Sequence, residues 1–418
     1  MIADLLIKNI KTLYTPYLMP PIKGKDMQKI LTIDNAFVAC REGMIIGFGH
    51  ENENDFIGPQ TTVYDANQTI MLPGLIDAHT HLVHGGSREN EFELLRKGTP
   101  YLDILKHGGG ILGTVEKTRN ASFDELYEKA YKSLNEMMLY GVTTIEAKSG
   151  YGIELDSEIK QLEVAKKLNQ NHPVTIYSTY LGAHAIPLEY QNDHQKLIKQ
   201  IIADLSVIKE KQLAQAVDVF CETNVYSYEE TKEILEKAKQ LGFDVKIHAD
   251  EIDSLGGVSL GVMLQATSVD HLMATKDEDM IKLAGSQTIA NILPGTSFYL
   301  NKGYARARTM LDYGVALAIS GDYNPGSCPT ENFQLIMQLA ANQLKLTPEE
   351  VLNAATINPA FHLKLNQDIG SIEVGKKANF VLMDAPNLSY ILYHYGINHT
   401  KDVFINGRQV VKNRQIKE

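Results

Sequence analysis

Two rhythms of apolar and polar positions divide the chain. Up to about residue 70 the apolar residues fall in short runs, ADLLIKNI, ILTIDNAFVAC, MIIGFG and TTVYDAN, broken by turn residues and charges. No sustained helical period connects them, so they read as short strands. The last stretch, about 365–418, behaves alike: GSIEVGKKANFVLMD and DVFINGRQVV alternate apolar and polar positions. Strands at both ends of a long middle predict one small β-sandwich domain assembled from residues 1–70 and 365–418.

The middle, 71–364, has another rhythm. Short apolar candidates recur as GLIDAHTH, VTTIEAKSG, VTIYSTYLGAH, AVDVFCETN, DVKIHADE, TSVDHLMA, SQTIANILPG and VALAISGDYNPG. Each is followed by a charged amphipathic segment. One of these, YEETKEILEKAKQLG (228–242), spaces its apolar residues helically and ends in a glycine suited to a helix C-terminus. Eight strands alternating with helices predict an α/β fold, a (β/α)8 TIM-like barrel. A doubly wound sheet is the rival, but no GxGxxG opens its first helix.

Against this frame the polar residues are informative. His79, His81, Glu146, His184, Glu222, His248, Glu251, His271 and Asp322 all fall near the C-terminal ends of strand candidates. In a barrel those ends converge on one face, where catalytic loops lie. One shared pocket explains the placement.

Composition narrows the class. Among 418 residues 44% are hydrophobic and 22% charged, and the formal charge of −11 leaves no electrostatic footprint for nucleic acid. No basic cluster suits an anionic membrane, and no run approaches the roughly 20 apolar residues of a membrane span. The N-terminus carries Asp4 and no apolar core of signal-peptide length. Cys40, Cys221 and Cys328 stand far apart with no CxxC pairing, which argues against a disulfide framework and for a reducing cytoplasm.

Taken singly, the candidate residues are ambiguous. His79 and His81, two apart on a strand, point to one side and fit either a surface pair or the start of a divalent site. His248 and His271 fit satisfied core histidines as well as ligands. Glu251 shares a pocket with His248 only if the strand ends near Ala249 and the chain curls inward. Asp322 emerges from a buried strand, where it fits an ion ligand or a helix N-cap.

In order, HxH, then His, then His, then Asp, each at a strand end, the set resembles the amidohydrolase superfamily. The stretches LPGLIDAHTHLVHGGSRENEF, IEAKSGYG, YLGAHAIP, HADE, SVDHL and SGDYNPGS together resemble the imidazolonepropionases, over essentially the whole chain. SRENEF, KSGYG and GDYNPGS are the more specific parts.

That resemblance implies hydrolytic opening of an imidazolone ring bearing a propionate arm. It implies His79, His81, His248 and Asp322 as ligands of one divalent or trivalent ion, zinc or iron. AVDVFCETN offers no lysine for the bridging carboxylated group of binuclear relatives, which supports a single ion. His271 with Asp322 would take a proton from water, and Glu251 would shuttle one to the leaving nitrogen. Arg88 and Tyr151 would hold the propionate. His184 would bond the substrate or a developing oxyanion. Glu251, Asn324, Gly326 and Ser327 would line the ring, with Tyr101 from the GTPYLDILKHGGGI segment as a further contact. The glycine run 108–110 lacks the GK[ST] of a phosphate cradle and reads as a lid or tight turn. A homodimer is usual in such relatives. His84 and His107 receive no role.

Three alternatives stay open. A salt bridge to Glu89 or Glu91 would be an ordinary role for Arg88. Another mononuclear cyclic amidohydrolase or an aminohydrolase would share the metal framework but would not need Arg88 and Tyr151. A barrel that had lost catalysis would lack ligands that this chain retains.

Overall fold

The computed structural model describes residues 1–98 and 109–417. The N-terminal strands are β1 (Leu5–Thr15), β2 (Leu31–Arg41), β3 (Met44–Gly49), β4 (Thr62–Asp65) and β5 (Ile70–Pro73). The C-terminal ones are β14 (Phe380–Met383), β15 (Thr400–Ile405), β16 (Arg408–Lys412) and β17 (Gln415–Ile416). They form one mixed sheet in the order β17-β16-β15-β14-β5-β1-β2-β3, with β4 also on β1. The seam between the chain ends is the antiparallel pair β14–β5, in which Val381 faces Leu72. Leu5, Ile7, Leu13, Val38, Cys40, Phe380, Leu382 and Phe404 pack into a core of this sheet's own.

Between the two ends lie eight parallel strands: β6 (Leu75–Thr80), β7 (Val142–Lys148), β8 (Thr175–Ala183), β9 (Ala216–Cys221), β10 (Asp244–Ala249), β11 (Ser268–His271), β12 (Ile289–Ile292) and β13 (Leu317–Ile319). They are hydrogen-bonded in sequence order. Helices cover their outer side, so nearly every strand residue is buried, as parallel strands require. The helices Phe123–Leu139 and Tyr228–Gln240 open with capping boxes, Ser122 with Glu125 and Ser227 with Glu230. Gly242, at φ +77°, follows the second helix in the left-handed conformation expected there.

Every predicted middle strand contains an observed one, but the candidates run long. β12 occupies 289–292 of a 286–295 candidate, and β13 occupies 317–319 of a 315–326 candidate. The surplus residues beyond Ile292 and Ile319 leave the sheet to build the loops at its C-terminal face. There too the barrel closes. A parallel bridge joins Thr80 to Tyr323, His81 N–H donates to Tyr323 O at 2.8 Å, and Asp322 N–H donates to His79 O at 2.9 Å. Among the described residues no helix is long and apolar enough to cross a membrane.

Candidate metal centre and active site

The closure of the barrel brings the first and last strand ends together, and with them the HxH pair and Asp322. His79 and His81 are buried at the end of β6, and His248 is buried near the end of β10. One ring nitrogen from each of these histidines lies within 4.8 Å of the others. Asp322 Oδ1 stands 3.6 Å from His79 Nε2 and 3.5 Å from His81 Nε2. Asp322 itself is left-handed at φ +55°. The preceding Gly321 gives the needed clearance, since a Cβ there would fall 2.5 Å from Asp77 Oδ2. Asp77 Oδ1 accepts from Gly321 N–H at 2.8 Å, and burial pushes the Asp77 carboxyl up to about 7.

These groups fit a metal ion. His79 Nε2 and His248 Nε2 are buried with no hydrogen-bond partner, which an enclosed polar atom ordinarily does not tolerate. Burial, the Lys148 ammonium and the neighbouring imidazoles hold His79 well below the ordinary histidine range. It therefore presents a lone pair. His79 Nδ1 lies 2.6 Å from Asp270 Oδ2, and His248 Nδ1 lies 2.9 Å from Asp218 Oδ2. A proton on His79 Nδ1, bonded to Asp270, directs its Nε2 into the centre, and Asp218 stands close enough to His248 Nδ1 to favour the same tautomer there. Three imidazoles and one carboxylate suit zinc and iron alike.

Beside this group stand two candidates for proton transfer. β10 ends at Ala249, and Asp250 turns the chain inward at φ +55°. This brings Glu251 Oε2 to 3.8 Å from His271 Nε2; the strand end and inward turn are those on which the sequence made a pocket shared with His248 conditional. His271 and Leu272 sit at φ +80° and +68°, a backbone cost concentrated where β11 reaches the pocket. The His271 ring centroid is 5.2 Å from that of His248 and 5.6 Å from that of His79. Asp322 Oδ2 accepts from Thr296 Oγ1. The Glu251 loop is anchored by Glu222, at the end of β9. Glu222 Oε1 accepts from Thr223 and Asp253 N–H at 2.7 and 3.1 Å, and Oε2 from Ile252 N–H at 2.9 Å.

On the other side, His184 stacks on His81 with centroids 4.8 Å apart. Its Nδ1 lies 3.0 Å from Gly150 O, and burial pushes its pKa down to about 3. The Tyr151 ring is 5.2 Å from His184 and 5.5 Å from His81. Arg88 donates from Nε and a terminal nitrogen to Glu91 Oε2 at 3.1 and 2.9 Å, so the salt bridge weighed above is present, with Glu91. Glu91 Oε1 also accepts from Gly110 N–H at 2.9 Å. Glu89 instead bonds Ser87. The guanidinium lies across the 324–327 turn, where a Cβ on Gly326 would meet it at 2.1 Å.

Asn324 spends its amide inside that turn. Its Nδ2 donates to Asp322 O and Ser327 Oγ, and its Oδ1 accepts from Gly326 and Ser327 N–H. His84 is buried under the centre with Nδ1 2.9 Å from His81 O, supporting the backbone of a candidate ligand. Tyr101, His107 and Gly108 lie outside the described residues; Gly109 is the N-cap of the helix Gly110–Asn120.

Sequence reasoning missed Lys148, Asp218 and Asp270 as parts of this centre. The available signal was a charge inside an apolar strand, in IEAK, AVDVF and SVDH. Such a residue must find a buried partner.

Comparison with known proteins bears on the same surfaces. Residues 70–410 match the family model described as "Amidohydrolase family". An imidazolonepropionase of Alkaliphilus oremlandii is 51% identical over 414 residues, covering 98% of each chain. One of Fusobacterium nucleatum is 49% identical over 411 residues, covering 98% of this chain and 99% of that protein. Among solved structures, a zinc-bound adenosine deaminase from Xanthomonas campestris superposes with a TM-score of 0.74 at 18% identity, covering 100% of this chain and 94% of that one. Guanine deaminase of E. coli superposes at 0.75 and 15% identity, covering 98% and 99%. At those identities the structural likeness speaks for the fold.

Proposed function

The chain belongs to the amidohydrolase family and resembles the imidazolonepropionases nearly end to end, and from that premise we propose that it hydrolyses 4-imidazolone-5-propanoate to N-formimidoyl-L-glutamate in histidine degradation. The observation that carries the reading is the buried group of His79, His81 and His248, whose Nε2 atoms on His79 and His248 have no protein partner. Together with Asp322 these residues would hold one divalent or trivalent ion, zinc or iron. When bound, the ion supplies Lewis acidity, making water nucleophilic near neutral pH and polarising the ring carbonyl.

The chain's own groups account for the rest. Arg88 and Tyr151 would seat the propionate, Arg88 with its fork held by Glu91. His184, stacked on His81 and neutral with its Nδ1–H given to Gly150 O, would bond the substrate by accepting a ring N–H through Nε2. Water adds to the carbonyl carbon, and His271 with Asp322 takes its proton. The lactam C–N bond then breaks, and Glu251 delivers a proton to the departing nitrogen, which becomes the formimidoyl nitrogen of the product. Asn324, Gly326 and Ser327 would shape the wall beside the ring, and Tyr101 would add a contact. Residues 71–364 would form the catalytic barrel and residues 1–70 with 365–418 the second unit; the β5–β14 seam supports joining the two ends and carries the first boundary on to Pro73. We also propose a homodimer and, from the three buried free thiols, a cytoplasmic location.

Turnover tests the reading. Purified protein loaded with zinc or iron should consume imidazolonepropanoate, read as loss of the ring's ultraviolet absorbance, with formimidoylglutamate identified by mass and NMR. Chelation and Asp322→Ala should each abolish it. An ion-loaded protein that leaves this substrate intact while deaminating an amino-heterocycle would transfer the assignment to the aminohydrolases.

A further inference from the structure

Beneath the three imidazoles lies a layer of five fully buried charges: Glu146, Lys148, Asp218, Lys246 and Asp270. Each comes from a different position on β7, β9, β10 or β11. Glu146 and Lys148, two apart on β7, share a side of the strand, as do Lys246 and His248 on β10. Lys148 Nζ lies 2.7 Å from Asp218 Oδ2, 3.1 Å from Glu146 Oε2 and 3.7 Å from Asp270 Oδ2. Lys246 pairs instead with Glu146 at 2.7 Å and lies 3.3 Å from His362 Nδ1. Among the described residues, Lys148 is thus the cation within ion-pair distance of both aspartates that orient candidate ligands.

We propose that Lys148 is a positioning residue for the metal centre: by clamping Asp218 and Asp270 it fixes the rings of His248 and His79, and so sets the affinity for the ion. The inference rests on the ligand assignment proposed above. Its physical basis is that two carboxylates drawn to one ammonium share a fixed geometry. Without that ammonium they repel each other in a medium that screens little, and each must rotate toward another donor. An imidazole whose Nδ1–H loses its acceptor is free to turn, and its Nε2 leaves the point of convergence. Lys148 is not one of the candidate ligands, and its effect would pass through two residues on each path.

The competing role for a buried lysine is charge balance alone. Two double variants separate the roles because both delete one buried cation and one buried anion. Lys148→Met with Glu146→Gln removes the clamp, whereas Lys246→Met with Glu146→Gln leaves it. The readout is zinc affinity of the metal-free protein, measured in competition with a chromophoric chelator, alongside thermal unfolding. The first variant should bind zinc about 10–100-fold more weakly, the loss typical for residues supporting a ligand, and the second close to wild type. Equal affinities for the two variants would overturn the inference.

Should the first variant not fold, Asp218→Asn, Asp270→Asn and their combination pose the same question in a chain that keeps Lys148. A shared clamp predicts non-additive losses of affinity, and strictly additive losses refute it. Wild-type protein that binds no zinc or iron would fail the underlying ligand assignment instead, an outcome distinct from wild-type binding that the variants leave unchanged.

Discussion

Glu222 offers the sharpest link between a buried hydrogen-bond set and turnover. Its two oxygens, 1% exposed as a residue, accept from the backbone N–H groups of Thr223, Ile252 and Asp253. The last two directly follow Glu251 and the turn at Asp250 that carries it toward His271. Glu222→Gln keeps the shape but replaces one carboxylate oxygen with an amide that must face a backbone N–H. At least one charge-assisted hydrogen bond is lost, worth roughly 2 kcal/mol. If the loop opens locally, amide exchange at Ile252 and Asp253 should accelerate about 30-fold, since each 1.4 kcal/mol is tenfold. The same loosening lets Glu251 drift by a fraction of an ångström or more, and kcat should fall about 10–100-fold. KM should change less than kcat, since Arg88 and Tyr151, which would hold the propionate, stand on other loops. Hydrogen-exchange mass spectrometry of the peptide covering 250–255 and steady-state kinetics read both effects on one preparation. Unchanged exchange with a normal kcat would refute the anchoring role. Unchanged exchange with a depressed kcat would refute the claimed route.

Two further predictions concern binding and stability. Arg88→Met should raise KM for the propionate substrate by about 10–100-fold, the loss of a charge-assisted pair, while a ring lacking that arm is turned over with little change; equal effects on both would remove Arg88 from carboxylate recognition. His172 accepts from Val174 N–H through Nδ1 and lies 3.1 Å from Asn135 Oδ1 through Nε2, and burial pushes its pKa down to about 4. The unfolded chain, with an ordinary histidine near 6.5, then binds a proton that the folded one refuses. Its contribution is full above about 6.5 and is lost as pH falls toward 4, reaching about 2 kcal/mol at pH 5. Chemical denaturation of wild type and His172→Gln between pH 7 and 5 should show the wild type losing that much more; parallel curves would refute it.

The barrel was legible because each buried parallel strand writes a mostly apolar run, and the polar ends of those runs stood out against it. His79, His81, His248 and Asp322 were found by that contrast together with the family resemblance. Lys148, Asp218 and Asp270 were not, because they hide within the runs. Along one strand a single charge shows no partner, and the pairs that satisfy it come from β7, β9 and β11, up to 122 residues apart by number (Lys148 to Asp270). The strand ends were overshot for a related reason. Left-handed residues at Asp250, His271 and Asp322 lie at or just beyond the strand ends; aspartate and histidine adopt that conformation more readily than most residues, but tertiary contacts decide where they do so. Arg88 reads the same way from sequence whether its fork meets Glu89 or Glu91; only the fold chose Glu91.

The seam between β5 and β14 sets an order of events during synthesis. Until Phe380–Met383 leaves the ribosome, the strand Ile70–Pro73 has an unpaired edge facing water. The metal centre has a similar wait, since Asp322 emerges some 240 residues after the HxH pair (322 less 81 is 241). Contacts so distant in sequence close slowly, and the incomplete chain carries exposed edges while it waits. A nascent chain stalled before residue 380 should therefore be the species that chaperones hold, and release of the last forty residues the step that seals both the sheet and its edge.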